Sequence, residues 1–298
     1  MWRILTLVGV LVWLPSPAQA WGFEAHKFIA DRMIELLPPE LKPLFEERRP
    51  FIVERAIDPD LWRTVGWEEE PPHHFLDMDH EAFGPYPFTG LPRDYADAVQ
   101  KFGREFIHTQ GLLPWRTAEF FGRLQREFES LKRTPPPGYA RDNIVLFAAV
   151  LAHYVSDGHV PLHAVVNYNG QLTAQEGLHS RWEAELFERH RAKLKIAPPP
   201  VKPVSVPRDV MFEVLLASNR ASANVLESDR KAAEGREFYD DAYFEAFAAG
   251  TLPTLERRLN DSISSVAAFI AGAWEAAGKP PISKEGPRTP RRIRRPTP

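Results

Sequence analysis

Two pairs of a histidine and a carboxylate lie close together in the middle of this chain and constrain its fold more than any other feature. His153 precedes Asp157 by four residues, and His179 precedes Glu183 by the same interval. Residues at i and i+4 lie on one face of a helix, so each pair can direct an imidazole nitrogen and a carboxylate oxygen to one point. With His163 between them, the pairs offer the nitrogen and oxygen ligands that zinc binds. The sequence therefore predicts a metal site built on helices.

The segment before His153 supports this prediction because it is a long apolar run. Residues 144–152 read Ile-Val-Leu-Phe-Ala-Ala-Val-Leu-Ala, which predicts a buried helix capped at its start by Asp142 or Asn143. A simple hydrogen bond between His153 and Asp157 in the core is the alternative for this pair taken alone. A buried carboxylate without a partner is costly, however, and a cation is the partner that the neighbouring histidines indicate.

The rest of the chain predicts an all-α, single-domain helical bundle. Apolar residues recur at helical spacing, and no segment alternates persistently like a β-strand. Residues 67–91 are predicted as a loop punctuated by Gly and Pro that carries His74. Helices are predicted over Gly22 to Leu37, Arg93 to Gln110, Trp115 to Leu131, Asp142 to Asp157, Gln175 to Lys195, Arg208 to Lys231, Tyr239 to Ala249 and Leu252 to Ala277.

The first residues predict export. Residues 1–20 combine Arg3, an apolar run and the ending Ala18-Gln19-Ala20, which is the pattern of a signal peptide. Cleavage after Ala20 would leave Trp21 with a free α-amino group that titrates low enough to act as a neutral metal ligand. His26 follows on the first predicted helix, where a lone histidine is more often a satisfied core residue. We expect an exported protein, periplasmic or extracellular.

Composition limits the kinds of site that the chain can build. There is no cysteine, so every metal ligand must be nitrogen or oxygen, and neither disulfides nor thiolate sites are possible. The balance of 37 basic and 40 acidic residues excludes no class of partner. Residues 21–279 are expected to form one domain. Residues 280–298 are rich in Pro and Arg and are predicted to be a disordered, solvated tail, with contact to nucleic acid or an anionic membrane as the alternative.

Several separated motifs resemble, in order, those of the superfamily that contains the zinc-dependent phospholipases C and the zinc-dependent single-strand nucleases of fungi and plants. The resemblance spans most of the chain. The motifs are Trp21-Gly22 with His26, the region of Asp60 and His74, His153-Tyr154-Val155-Ser156-Asp157 with Pro161-Leu162-His163, and Gly177-Leu178-His179-Ser180-Arg181-Trp182-Glu183.

The resemblance implies three zinc ions inside the helical bundle, with ligands as follows. One ion takes Asp60, His74, His153 and Asp157, a second takes His163, His179 and Glu183, and a third takes the α-amino nitrogen and carbonyl oxygen of Trp21 together with His26, while Asp157 bridges the first and third. Asp58 competes with Asp60 for its place. His74 is preferred to His73 because His74-Phe75-Leu76-Asp77 matches the His-Phe-x-Asp signature of the family.

The resemblance also implies hydrolysis of a phosphodiester, and it assigns further roles. Asp60 would orient the attacking water or accept its proton. Arg63 would clamp a phosphate oxygen, although an ordinary ion pair with a carboxylate explains this residue equally well. Phe75 and Asp77 would contact the substrate, with packing of Phe75 against its own loop as the alternative.

The motifs that bear on the substrate resemble two different branches of the superfamily. The short connection from His163 to His179, Glu183 as last ligand and the missing cysteines resemble the phospholipases, whereas Arg63 after Asp60 resembles the nucleases. We expect phospholipase C-like activity, with a single-strand-specific endonuclease as the alternative and a non-catalytic zinc-binding helical module as a third. The expected partner is a phospholipid or a single-stranded nucleic acid, and no obligate protein partner is implied.

Overall fold

The computed structural model describes residues 22–282, and within that range the chain is all-helical with no β-strand, as predicted. The signal peptide expected over residues 1–20, Trp21 and residues 283–298 of the expected tail lie outside the described residues. The helices are α1 Phe23–Met33, α2 Lys42–Glu47, α3 Arg49–Arg55, α4 Asp58–Thr64, α5 Tyr95–Phe102, α6 Arg104–Gln110, α7 Leu113–Ser130, α8 Ala140–Asp157, α9 Leu178–Ser180, α10 Phe187–His190, α11 Pro207–Ala233 and α12 Asp241–Ala276.

Helix α8 lies at the centre of the bundle. It packs against α1, α3, α7 and α12, while α11 packs along α12 and α7. Its residues are almost continuously buried from Ala148 to Asp157, because neighbouring helices cover it on several sides. The last turn of α8 therefore brings His153 and Asp157 to the centre of the molecule, where the surrounding helices can supply further ligands.

The start of α8 differs from the prediction. The helix begins at Ala140, and no side chain caps it. Asp142 instead accepts an ion-paired hydrogen bond from Arg48 at the end of α2. A residue in the first turn of a helix can stabilise it by its charge without capping it, so the acidic residue was a correct sign of a helix start but marked the wrong position.

Other predicted helices are divided differently in the structure. The helix predicted over Gln175 to Lys195 begins at Leu178 and consists of short α, π and 3₁₀ segments. The helix predicted over Arg93 to Gln110 is broken into α5 and α6 by Gly103, whose φ of +87° is incompatible with a continuous helix. The two helices predicted on either side of residues 250–251 form the single helix α12, which continues through Pro253. Tertiary packing explains this continuity, because four residues at successive i+4 positions are buried on one face: Phe247, Thr251, Leu255 and Leu259.

The region between α1 and α5 contains helices that the sequence pattern did not predict. Helices α2, α3 and α4 are only six or seven residues long, which is too short for a clear hydrophobic period. The predicted loop at residues 67–91 contains only two short 3₁₀ turns, Pro71–His74 and Glu81–Phe83. Within residues 22–282, no helix combines the length and the apolar composition that crossing a membrane requires.

Candidate metal centre

The carboxylate of Asp157 is fully buried and lies beside four imidazole rings, of which His163 is the most distant at 3.8 Å. Its Oδ2 lies 3.0 Å from Nδ1 of His74 and 3.2 Å from Nε2 of His153. Its Oδ1 lies 3.3 Å from Nε2 of His26. Asp60 approaches the same place, since it offers a ligand atom within 4.8 Å of those of His26 and His153. The two oxygens of Asp157 thus face different histidines, which is the arrangement that a bridging carboxylate requires.

Hydrogen bonds on the far side of two rings determine which nitrogen faces Asp157. Nδ1 of His153 lies 2.8 Å from the carbonyl oxygen of Ala56 and must donate to it. Nδ1 of His26 lies 2.8 Å from Oγ of Ser156, whose own hydrogen goes to a backbone carbonyl one turn earlier. In the neutral form of each ring, Nε2 is then an acceptor that points toward a carboxylate. Two acceptors that face each other repel, and a cation between them removes the repulsion.

Without a cation, one protonated histidine would have to neutralise this cluster. Burial lowers the pKa of His153, but the charges of Asp157 and Asp60 outweigh it and raise that pKa to about 9. The pKa of His26, which stacks on His153 with ring centroids 4.0 Å apart, is lowered by burial and then by the charge of His153. One imidazolium can therefore form beside Asp157, but it leaves the neutral ring of His26 facing the same carboxylate.

Helix α4 carries both Asp58 and Asp60, and the contacts of their carboxylates distinguish them. Oδ1 of Asp60 accepts a hydrogen bond of 2.7 Å from Nη2 of Arg63 and lies 3.9 Å from Nδ1 of His74. Asp58 turns away and lies 3.4 Å from the guanidinium of Arg55. The structure thus brings Asp60 into the cluster and leaves Asp58 outside it.

A second group of ligands lies beside the first. Nε2 of His179 is 2.8 Å from Oε2 of Glu183 and 3.0 Å from Nε2 of His163. Burial, followed by the nearby carboxylate of Asp60, raises the pKa of Glu183 well above its usual value, while the charge of Arg63 partly opposes the rise. Burial also lowers the pKa of His163 to about 4. Without a metal ion, the side chains of Glu183 and His163 therefore both favour their uncharged forms. A cation bound between them would favour the ionised carboxylate of Glu183.

The backbone around this second group departs from a plain α-helix. His179 belongs to the short helix Leu178–Ser180, whereas Glu183 belongs to the π-helical turn Arg181–Leu186 that follows it. The predicted pair at i and i+4 is present, but on a widened turn. Single π-helical turns within α-helices occur frequently at functional sites, since they re-aim side chains. His163 comes from the 3₁₀ turn Pro161–Ala164.

Metal ions fit this set of side chains. Three groups of buried residues could hold a metal ion, and the first two share His153: His26 with Asp60 and His153, His74 with His153 and Asp157, and His163 with His179 and Glu183. Several of their atoms are buried without any hydrogen-bond partner, namely Nε2 of His26, Oδ2 of Asp60, Oδ1 of Asp157 and Oε2 of Glu183. Buried polar atoms are normally satisfied, and ligands around tetrahedral zinc lie roughly 3.3 Å apart, close to the separations observed here.

A buried carboxylate that sequence reasoning missed lies behind the first group. Glu70 accepts hydrogen bonds from the hydroxyl of Tyr154 and, at 3.2 Å, from Arg116 of α7. Nδ1 of His73 is 3.4 Å from its Oε2. Its Oε1 lies 3.7 Å from Nε2 of His74, the ring nitrogen that faces away from Asp157. The position of Glu70 four residues before His74 was its only sequence signal, and that spacing means little outside a helix.

The remaining expected site residues are not part of the ligand groups. Phe75 is half-buried, and its carbonyl oxygen accepts a hydrogen bond of 3.2 Å from the backbone of Leu113. Asp77 has a buried Oδ1 without a hydrogen-bond partner, and burial, followed by the charge of Asp79, raises its pKa to about 8. Trp21, the expected ligand of a third ion, lies outside the described residues.

Comparisons of the sequence with protein-family models and with curated proteins found no match. The relationship to zinc-dependent phospholipases and nucleases therefore stays a prediction that depends on the motifs. The geometry contributes a separate result, which is that the residues of those motifs converge in three dimensions. Eight predicted ligands from the described part of the chain are all buried: His26, Asp60, His74, His153, Asp157, His163, His179 and Glu183.

Proposed function

We propose that this protein is a zinc-dependent hydrolase of phosphodiesters that acts on phospholipids in the manner of a phospholipase C. The observation that carries the proposal is the position of Asp157 among His26, His74 and His153, with Asp60 and its partner Arg63 at the edge of the same cluster. A purely structural metal site needs no guanidinium beside one of its ligands.

Bound zinc would supply a nucleophilic water at neutral pH and would neutralise charge on the phosphoryl oxygens. The protein groups then have distinct tasks. Oδ2 of Asp60 has no hydrogen-bond partner and can accept the proton of the attacking water. Arg63 holds the other oxygen of Asp60 and keeps this carboxylate oriented. The forked guanidinium of Arg63 also suits a phosphate oxygen, so one residue can orient the base and clamp the substrate.

The hydrogen bonds behind the histidines keep the site ready for its metal ions. Donation from His153 to Ala56 and from His26 to Ser156 directs the opposite nitrogens inward. Such outer partners fix the tautomer and the ring orientation of metal-binding histidines. The site is therefore preorganised, which lowers the cost of reaching the catalytic arrangement.

Two features of the motifs favour a phospholipid as substrate. Glu183 stands where the nucleases of the superfamily carry Asp, and the connection from His163 to His179 is short. The pairing of Asp60 with Arg63 on α4 favours the alternative, a single-strand nuclease. Export through a signal peptide over residues 1–20 is part of the same proposal. If the protein proves inactive, the alternative is a non-catalytic zinc-binding module.

An assay of the zinc-loaded protein on phosphatidylcholine micelles and on single-stranded DNA, side by side, tests the proposal. We expect release of phosphocholine and little cleavage of DNA. The chain offers a matched control, because Arg55 with Asp58 repeats the spacing of Asp60 with Arg63 outside the cluster. Arg63→Ala should reduce turnover strongly, whereas Arg55→Ala should not. Efficient DNA cleavage with no action on lipid would favour the nuclease over the phospholipase. A zinc-loaded protein that is inert on both substrates would refute the proposal that the protein is an enzyme.

A further inference from the structure

Large apolar side chains are exposed in two segments that adjoin residues of the candidate metal centre. In one segment, directly after α4, Val65 is 72% exposed and Trp67 is 56% exposed. In the other segment, the connection between His163 and His179, Leu172 is 67% exposed and Tyr168 is 43% exposed. We call Val65, Trp67, Tyr168 and Leu172 the apolar rim. Each exposes a large apolar area to water, and such residues clustered at a site indicate an interaction surface.

Both halves of the apolar rim adjoin the metal ligands. The ring of Tyr168 lies 6.1 Å from that of His179. Val65 and Trp67 follow Arg63 within four residues, and Arg63 donates a hydrogen bond of 2.7 Å to Asp60. Each half therefore adjoins a residue of the metal centre, Trp67 and Val65 through Arg63 and Asp60, and Tyr168 through His179.

The apolar rim is held in place by defined contacts. The backbone N–H of Trp67 donates to the carbonyl of Trp62 at 3.2 Å, and the two indole rings pack with centroids 5.2 Å apart. In the other half, the side chain of Asn167 accepts from the backbone of Leu172 at 2.8 Å and donates to Thr173 at 3.0 Å. These bonds keep Trp67 and Leu172 pointing outward without the ordering cost that a floppy loop would incur on binding.

The charge of the two segments identifies the kind of partner. Residues 61–70 contain one basic residue, Arg63, and three glutamates, of which Glu70 is buried, whereas residues 165–177 contain no Lys or Arg and one glutamate. Arg63, which holds Asp60, belongs to the metal centre rather than to the rim. Nucleic acids are bound mainly through Lys and Arg contacts to phosphates, and anionic membranes through basic clusters. A surface of Trp, Tyr, Val and Leu with acidic neighbours fits an electrically neutral lipid surface instead, where aromatic residues lie at the level of the headgroups.

We propose that the apolar rim docks the protein on the surface of zwitterionic phospholipid aggregates and so delivers the headgroup diester to the metal centre. This inference rests on the proposed function, because it gives that site a substrate presented at an interface. The apolar rim increases binding to the aggregated substrate. The metal centre and Asp60 carry out the chemical step.

Binding to phosphatidylcholine vesicles and turnover of a soluble diester, p-nitrophenyl phosphorylcholine, separate the two parts of the inference. Sedimentation with vesicles uses the full zinc-loaded protein carrying Asp60→Asn, so that the lipid is not consumed. Adding Val65→Ser and Leu172→Ser should weaken vesicle binding by about tenfold. In the protein with Asp60 intact, the same pair should lower the ratio of vesicle turnover to soluble turnover by a similar factor. The tryptophan fluorescence of the protein with an unsubstituted rim should shift to the blue when vesicles are added. Trp67→Phe should reduce that shift.

Tyr139→Ser provides the matched control. Tyr139 is 55% exposed but precedes the first turn of α8, about 27 Å along the helix from Asp157, and its substitution should leave vesicle binding unchanged. Equal vesicle binding by the wild-type surface and the double variant would overturn the docking proposal even if the soluble diester is hydrolysed. Vesicle binding without hydrolysis of either substrate would retain the docking surface and refute the proposed function. Concentration-dependent self-association abolished by the double variant, without vesicle binding, would assign the surface to a second copy of the chain and also overturn the proposal.

Discussion

Nε2 of His163 lies 3.0 Å from Nε2 of His179, and the same atom of His179 lies 2.8 Å from Oε2 of Glu183. Three ligand atoms therefore converge in a space from which water is largely excluded. A hydrogen bond can satisfy one pair of them, but Oε2 of Glu183 remains without a partner by hydrogen-bond geometry. A metal ion satisfies all three at once.

Purified protein should hold about three zinc ions per chain, the number that the resemblance to the phospholipase and nuclease superfamily implies. His179→Ala should release one ion, because it removes the central ligand of one group and none of the others. Elemental analysis of protein dialysed against a weak chelator measures both numbers. A wild-type protein that is active with a single ion would contradict this reading.

A residue added before Trp21 should lower the zinc content by one and remove most of the turnover. The expected ligand is the free α-amino group that signal cleavage creates, and an amide nitrogen in its place is a poor donor. Trp21 lies outside the described residues, so this experiment tests the motif rather than the geometry. Unchanged zinc content and kinetics in the extended protein would exclude Trp21 as a ligand.

Asp60→Asn should reduce turnover by about 10²-fold or more, since the carboxylate both faces the histidines and is placed to accept a proton. Asp58→Asn should change it by about twofold at most, because Asp58 contacts Arg55 outside the cluster. Steady-state kinetics at saturating zinc compare the two. A damaging Asp58→Asn beside a mild Asp60→Asn would reverse the assignment.

Glu70→Gln should weaken zinc binding by about 10- to 100-fold, as expected for a residue that orients a metal ligand through its far nitrogen. Oε1 of Glu70 lies 3.7 Å from Nε2 of His74, the nitrogen on the side of the ring opposite Asp157. Glu119→Gln is the control, because Glu119 binds the same Arg116 at 3.0 Å but is more exposed and further from the histidines. Competition with a fluorescent chelator measures the affinities; equal affinities for the two variants would remove Glu70 from the site.

Asp77→Asn should stabilise the zinc-loaded protein by an amount that grows with pH. Burial, followed by Asp79, raises the pKa of Asp77 to about 8, so the folded protein binds this proton more tightly than the unfolded chain does. Stability associated with the protonated form is then complete below the unfolded pKa of about 3.9 and is lost as pH rises toward 8. The Tm difference between variant and wild type should increase from pH 6 to 8 and level off above that. A difference independent of pH would show that Asp77 is already ionised.

The sequence alone predicted the local part of this protein. The apolar run before His153 predicted a buried helix, and the spacing of His153 with Asp157 and of His179 with Glu183 predicted shared faces, because helical periodicity is a property of neighbouring residues. The motifs also named Asp60 and His74 as ligands. They could not decide between Asp60 and Asp58 by any physical argument, since short helices such as α4 carry no clear period.

Only the tertiary structure decided which distant groups meet. His74 is 83 residues from Asp157 in sequence, yet its Nδ1 lies 3.0 Å from that carboxylate. The hydrogen bonds that direct the rings of His26 and His153, the place of Glu70 behind His74 and the apolar rim all depend on how separate segments pack. Such contacts arise from the close packing of the core and leave no periodic trace along the chain.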